Sequence, residues 1–216
     1  MPLGKETPQR EQMVTEQLQA RGIDDARVLA AMGQIPRELF VPANLQDKSY
    51  DDMALPIDCQ QTISQPLIVA MMSQALELKG TERVLEVGTG SGYQTAILSQ
   101  LAAEVISIER HEDLSLTATN RLGQLGCQNV TTIVGDGTRG CPEKAPFDRI
   151  MVTAAAGETP PALLDQLADD GRLVIPLGKP LEDGKAQTLT LIHKNKGRLT
   201  RTILTGCRFV PLVADD

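Results

Sequence analysis

Val84-Leu85-Glu86-Val87-Gly88-Thr89-Gly90-Ser91-Gly92-Tyr93 is the stretch whose reading decides the fold. A short β-rich run enters three glycines at alternate positions, and residues 93–102 then read as a helix. Glycines placed there let the chain turn sharply and let a ligand approach the backbone at a helix N-terminus. Their spacing limits the ligand. Dinucleotide binding asks for G-x-G-x-x-G, but the third position is Tyr93 counted from Gly88 and Thr95 counted from Gly90. No Lys-Ser or Lys-Thr closes a glycine pair, so the P-loop fails as well.

Outward from the loop, three acids fall at comparable places. Glu86 precedes the first glycine, Glu109 lies 21 residues beyond Gly88 at the end of a second strand over 105–108, and Asp136 follows a third strand over 130–134. An acid at the second strand's end can accept hydrogen bonds from both ribose hydroxyls. Singly, each feature has a plain structural explanation: turn glycines, a solvated strand end at Glu109, a turn at Asp136-Gly137. In register on three successive strands, they describe a pocket for a nucleoside without phosphates. S-adenosylmethionine is such a ligand.

The surrounding pattern alternates β-rich and helical runs, as a parallel sheet covered on both faces requires. Further strands are expected over 150–152 and 173–175, and further helices over 113–125 and 161–167. Runs over 188–192 and 200–213 face each other across Lys194-Asn195-Lys196-Gly197 as a terminal hairpin. Upstream, Thr7-Pro8 opens a helical stretch over 8–33 that Gly22 divides, with Met13, Leu18, Val28, Leu29 and Met32 apolar. Residues 35–56 carry prolines and read as a wandering arm, and a helix over 66–78 stops at Lys79-Gly80. The expected fold is α/β: a Rossmann-like, doubly wound, mostly parallel sheet in one domain, 1–216. Residues 1–80 form an N-terminal helical layer carrying the active-site loop, and 81–216 the cofactor-binding core and C-terminal hairpin.

Composition narrows the function. The chain has 216 residues, 41% of them hydrophobic, with three Phe, two Tyr and no Trp, so rings for stacking bases are scarce. Twenty-one Lys and Arg against 28 Asp and Glu leave a net charge of −7, which repels a phosphate backbone; the one basic cluster, His193 to Arg201, reads as a solvated hairpin tip. No nucleic-acid partner is expected. Cys59, Cys127, Cys141 and Cys207 are dispersed and only His111 and His193 supply imidazoles, so no metal is expected. His111 reads as a first-turn surface residue and the methionines as core. MPLGKETPQREQ lacks an apolar signal region and no apolar run approaches a membrane span, so a cytoplasmic, membrane-free protein is the expectation, a monomer by default with an oligomer left open.

Further motifs extend the loop in both directions. Thr62-Ile63-Ser64-Gln65-Pro66, Gly135-Asp136-Gly137, Ala145-Pro146-Phe147-Asp148, Val152-Thr153-Ala154-Ala155 and Phe209-Val210-Pro211-Leu212 stand around it in a fixed order. With the loop, they resemble the protein-L-isoaspartate O-methyltransferase family from about Ile35 to Leu212. The glycine loop alone marks class I methyltransferases; residues 62–66 and 209–212 carry the narrower resemblance. The chain departs from the family at Asp58-Cys59-Gln60, where a glycine-containing stretch is typical, and at Leu67, where an aromatic or His is common.

The resemblance implies methyl transfer from S-adenosylmethionine to the free α-carboxylate of L-isoaspartyl residues in damaged proteins and peptides, the ester then cyclising to a succinimide. It implies Ser64 as the catalytic residue, its hydroxyl donating to one carboxylate oxygen; the competing role is a cap on the helix opening at Pro66. Cofactor contacts are expected from Thr62, Ile63, Glu86, Gly88, Gly90, Gly92, Glu109, Asp136 and Gly137, and substrate contacts from Ser64, Val210, Leu212 and Val213. An α-carboxyl titrates at about 3.3–3.7, so the nucleophile is ionised at neutral pH and no catalytic His is needed. On the residues alone, two other readings stay open: a class I methyltransferase for another nucleophile, and a non-catalytic nucleoside-binding module.

Overall fold

The computed structural model describes residues 7–178 and 187–215; the expected domain limits at 1 and 216 lie outside them. The N-terminal arm opens with α1 (Pro8–Gln12), where the Thr7 side chain accepts the Arg10 N–H. The chain does not continue as one α-helix to Gly22. It widens into a π-helical turn over Met13–Leu18 and tightens into a 3-10 turn over Gln19–Arg21. Met13 and Leu18, five positions apart, are both fully buried; only the wider π turn brings that spacing onto one face. Gly22 ends the stretch at φ 91°, and α2 (Ala26–Gln34) starts from the Asp25 side chain, which accepts the Arg27 and Val28 N–H groups.

The proline-rich arm contains short 3-10 turns at Arg37–Phe40 and Ala43–Lys48. Two short strands unforeseen in the sequence follow, β1 (Leu55–Pro56) and β2 (Thr62–Ile63), paired antiparallel. Next, α3 (Pro66–Ala75) ends earlier than the apolar pattern suggests. Glu77 takes a left-handed φ of 50°, while Leu76 and Leu78 stay buried. The apolar run marks burial beyond the helix, and Gly80 is not the residue that ends it.

The remaining elements are β3 (Arg83–Val87), α4 (Tyr93–Leu101), β4 (Glu104–Glu109), α5 (Glu112–Gln124), β5 (Val130–Val134), β6 (Phe147–Val152), α6 (Pro161–Gln166), β7 (Leu167–Leu177), β8 (Gln187–Asn195) and β9 (Arg198–Cys207). Seven strands lie in the order β5-β4-β3-β6-β7-β8-β9. Pairings from β5 to β7 are parallel; β7, β8 and β9 pair antiparallel. The α/β, doubly wound, mostly parallel sheet is thus present. Side chains alternate between two apolar layers: Val84, Val105, Met151 and Val174 pack with Val28, Val69 and Ile97, whereas Leu85, Ile106, Ile150 and Leu173 pack with Leu163 of α6. Burial on both faces is why these strands read as continuous apolar runs.

The hairpin turns at Lys196-Gly197, both at positive φ, with Asn195 opposite Arg198. The strand expected to continue to 213 stops at Cys207. Residues 209–213 leave the sheet because Gln187 and Ala155 take over their backbone groups. Gln187 Oε1 accepts the Phe209 N–H at 2.6 Å. Ala155 N donates to Val210 O at 2.8 Å, and Leu212 N donates to Ala155 O at 2.7 Å. The tail is thereby drawn back over the end of β6.

Candidate active site

The strand order reverses at β3, between β4 and β6, and open α/β sheets bind ligands outside the carboxyl ends of the strands at such a point. A cavity lies there, with about 1010 Å³ of empty space counting its open mouth. Its walls are the glycine loop, the ends of β4 and β6, residues 61–64 and residues 210–213.

Gly88 shows why the loop needs a residue without Cβ. Thr153 Oγ1 donates to Gly88 O at 2.6 Å. A Cβ on residue 88, held at φ +98°, would lie 2.2 Å from Thr153 Oγ1. The Glu109 carboxylate holds the next turn: Oε2 accepts the Gly90 N–H at 2.8 Å and Oε1 the His111 N–H at 3.0 Å. Tyr93 closes the rear wall, with Phe40 edge-on at 5.4 Å and the Arg37 guanidinium 4.9 Å above its ring. Burial pushes the Tyr93 hydroxyl up to about 12, against the opposing charge of Arg37.

Of the residues expected at the site, Thr62, Ile63, Ser64, Gly88, Gly90, Glu109, Gly137, Val210, Leu212 and Val213 meet on the cavity wall. Glu86, Gly92 and Asp136 lie behind it, and the physical reasons differ. Glu86 sits opposite Ser107 in the sheet and points into the buried layer beneath the loop, accepting from Thr95 and Ser107 hydroxyls at 2.5 and 2.6 Å. Gly92 starts α4, and a Cβ there would come within 3.1 Å of the Ala118 Cβ on α5, so its bareness serves helix packing. The Asp136 carboxylate is taken by Thr138, by the Asp215 N–H and by Arg139. Those partners outweigh the upward push of burial and hold it below the usual carboxylate range.

Ser64 is half-buried between β2 and α3, and the helix takes no side-chain cap, so the capping role is not the one the structure realises. Several wall residues escaped the sequence reading. His111 is the N-cap residue of α5 and lines the cavity instead of standing on the surface, and Arg110 lines it too, paired with Asp215 at 3.6 Å. Both follow Glu109 directly, which was the available signal. Thr153, Met72 and Val69 join the wall through packing that sequence does not display. At the departure from the family pattern, Cys59 and Gln60 have φ of 55° and 58°, the region that favours glycine. The chain keeps a glycine-like bend there with side chains that disfavour it, at about 1–3 kcal/mol per residue.

Residues 9–216 match the sequence model of the protein-L-isoaspartate(D-aspartate) O-methyltransferase family. The chain belongs to this family. A curated protein-L-isoaspartate O-methyltransferase of Methanoculleus marisnigri is 52% identical over 205 residues, covering 95% of this chain and 91% of its own length. A solved protein-L-isoaspartate O-methyltransferase superposes with a TM-score of 0.83 at 30% identity over 94% of this chain, which spans 65% of that one. A crystal structure of a Plasmodium falciparum protein described as a beta-aspartate methyltransferase, in complex with S-adenosyl-L-homocysteine, superposes with a TM-score of 0.82 at 29% identity, covering 95% of this chain and 99% of its own. Like the family it belongs to, the protein transfers a methyl group from S-adenosylmethionine to the carboxylate of isoaspartyl residues in damaged proteins and peptides. Family membership thus selects among the three readings open on the residues alone. Among the described residues, no helix is long and apolar enough to cross a membrane, and no group of three His, Cys, Asp or Glu could hold a metal ion.

Proposed function

We propose that Ser64 positions the isoaspartyl α-carboxylate and that Thr62, Ile63, Gly88, Gly90, Glu109 and Gly137 line the cofactor. The observation that carries this reading is the meeting, in one cavity, of the glycine loop, the Glu109 carboxylate and a serine that caps no helix. S-adenosylmethionine, when bound, supplies a methyl group activated by a positive sulfur. The donor set fits that group. Glu109 accepts one bond on each oxygen, and a carboxylate has lone pairs left for two ribose hydroxyls. The S-adenosyl-L-homocysteine held by the Plasmodium relative is a nucleoside of the same kind. Glu86, Gly92 and Asp136 act from behind the wall by fixing the loop and the strand ends.

The substrate carboxylate, titrating at about 3.3–3.7, arrives ionised, so no side chain has to remove a proton. The protein's task is to align it and exclude water, effects that reach about 7–11 kcal/mol. Ser64 donates to one carboxylate oxygen and leaves the other free to attack. Val210, Leu212 and Val213 flank the peptide on a segment pinned by Ala155. The product ester closes to the succinimide by its own chemistry.

The reading extends to a single domain over 1–216, with 1–80 as a layer on the 81–216 core, since residues 61–64 of the layer complete the cavity wall. Four free thiols suit the reducing cytoplasm. A charge of −7 argues against nucleic acid as substrate. The test is transfer of labelled methyl to an isoaspartyl peptide and to its aspartyl twin, scored as base-labile ester. Label on the isoaspartyl peptide alone is expected; equal label on both would refute the specificity, and label on neither the activity.

A further inference from the structure

Ser64 is followed by Gln65, which occupies the N-cap position of α3 without a capping bond. Its amide reaches elsewhere: Gln65 Nε2 donates to Asp52 Oδ1 at 2.8 Å. The other oxygen of that carboxylate pairs with Arg21 Nη1 from the N-terminal arm. On the other side of Ser64, Ile63 in β2 pairs with Leu55 in β1. Ser64 therefore sits between two attachments to one stretch of chain, a strand pairing at Leu55 and a side-chain bond at Asp52.

That stretch is itself firmly held. Arg37, fully buried, donates from Nε to Ser49 O at 2.7 Å. Gln17 Nε2 donates to Tyr50 O at 2.7 Å, and Arg10 Nε to the Tyr50 hydroxyl at 2.9 Å. Two side chains thus hold the backbone carbonyls three and two residues before Asp52, and a third holds the Tyr50 hydroxyl, so the chain that carries the Asp52 carboxylate is anchored on the arm.

We propose that Asp52 is a positioning residue for the methyl transfer: by clamping Gln65 it fixes the Ser64 hydroxyl in the cavity. The proposal rests on the reading of Ser64 as the donor to the substrate carboxylate. A reacting group misplaced by about 1 Å costs about a hundredfold in rate. The Arg21–Asp52 pair is half exposed, 46% and 34%, and pairs so placed contribute little to stability. A loss of rate without loss of stability is therefore the signature that separates positioning from a structural role.

The experiment measures turnover of an isoaspartyl peptide, S-adenosylhomocysteine affinity by calorimetry, and Tm. The variants are Asp52→Ala, Asp52→Asn, Gln65→Leu, Ser64→Ala and the Asp52→Ala/Ser64→Ala pair. Asp52→Ala and Gln65→Leu are expected to lower kcat about tenfold or more, within the range misplacement reaches, with affinity and Tm unchanged. Asp52→Asn keeps an acceptor oxygen and recovers most of the rate, and the paired variant is no slower than Ser64→Ala. Wild-type turnover in Asp52→Ala beside a slow Ser64→Ala would overturn the clamp and leave the Ser64 reading standing. Wild-type turnover in Ser64→Ala would remove that reading, and the clamp with it. A fall in Tm or affinity matching the lost rate would make Asp52 structural and overturn the proposal. Should Asp52→Ala not fold, Gln65→Leu reads the clamp from its other end.

Discussion

The Gly90 N–H donates to Glu109 Oε2 at 2.8 Å, so the end of β4 holds the turn of the glycine loop that follows β3. The acid proposed to hold the cofactor also shapes the glycine-loop backbone of the cavity wall. If Glu109 holds the ribose as proposed, ribose binding and loop geometry are coupled through one carboxylate.

Glu109→Gln keeps an acceptor at this place but loses the charge that strengthens it, a difference of about 1–2 kcal/mol per hydrogen bond. The expected outcome is S-adenosylhomocysteine affinity weakened about tenfold or more, with a smaller change in kcat at saturating cofactor. Calorimetry and steady-state kinetics check it; unchanged affinity would show that Glu109 does not bear on the nucleoside.

Ser64→Ala removes a hydroxyl that caps nothing in the fold. Stability and cofactor affinity are expected to hold, while turnover of an isoaspartyl peptide falls by about 10–150-fold, the worth of a hydrogen bond to a charged group, about 1.5–3 kcal/mol. Equal turnover would sink the assignment.

Gly88→Ala places a methyl group against the Thr153 hydroxyl at a left-handed φ. Conformation and crowding together predict a loss of about 2–4 kcal/mol in denaturant unfolding. Adding Thr153→Ala relieves the crowding and not the φ, so it recovers part of that loss; full recovery or none would contradict the two-part cause.

Burial pushes the Glu86 carboxyl up from 4.5 to about 7, against the hydroxyls of Ser107 and Thr95 and with the charge of Glu109. Across that interval the folded protein keeps a proton that the unfolded chain has released. This group's contribution to stability therefore falls as pH rises from about 4.5 to about 7 and is constant above, a change on the order of 3 kcal/mol. Glu86→Gln removes the titration, so the difference in Tm between pH 5 and pH 8 should shift toward the alkaline side relative to wild type. Parallel Tm curves for the two proteins would refute the protonated Glu86.

The core of the fold was legible because the central strands β3, β4, β6 and β7 carry apolar side chains into both buried layers, while β5, at the sheet edge, stays partly exposed and showed through its β-branched run. Elements whose geometry depends on distant partners were not. The π turn at Met13–Leu18 answers to packing, and β1 and β2 are too short to leave a pattern. The tail at 209–213 reads as strand by composition, yet Gln187 and Ala155 claim its backbone. At the cavity wall, Gly88, Gly90 and Glu109 declared themselves by spacing. His111 did not, because an imidazole at a helix start looks the same whether it faces water or a cavity.

The sequence by itself determined the alternation of strands and helices, the loop that excludes dinucleotides and P-loop phosphates, and the family, because those rest on local spacing along the chain. Tertiary structure decided which acids reach the cavity: Glu86 stands one residue before the end of β3 and Glu109 at the end of β4, and side-chain alternation buries the first against Ser107 and Thr95 and brings the second to the wall. It also decided that Ser64 stands clear of the helix cap and is flanked by Leu55 and Asp52 through their partners Ile63 and Gln65. Those are contacts between residues far apart in sequence, and only the closing of the arm over the sheet brings them together.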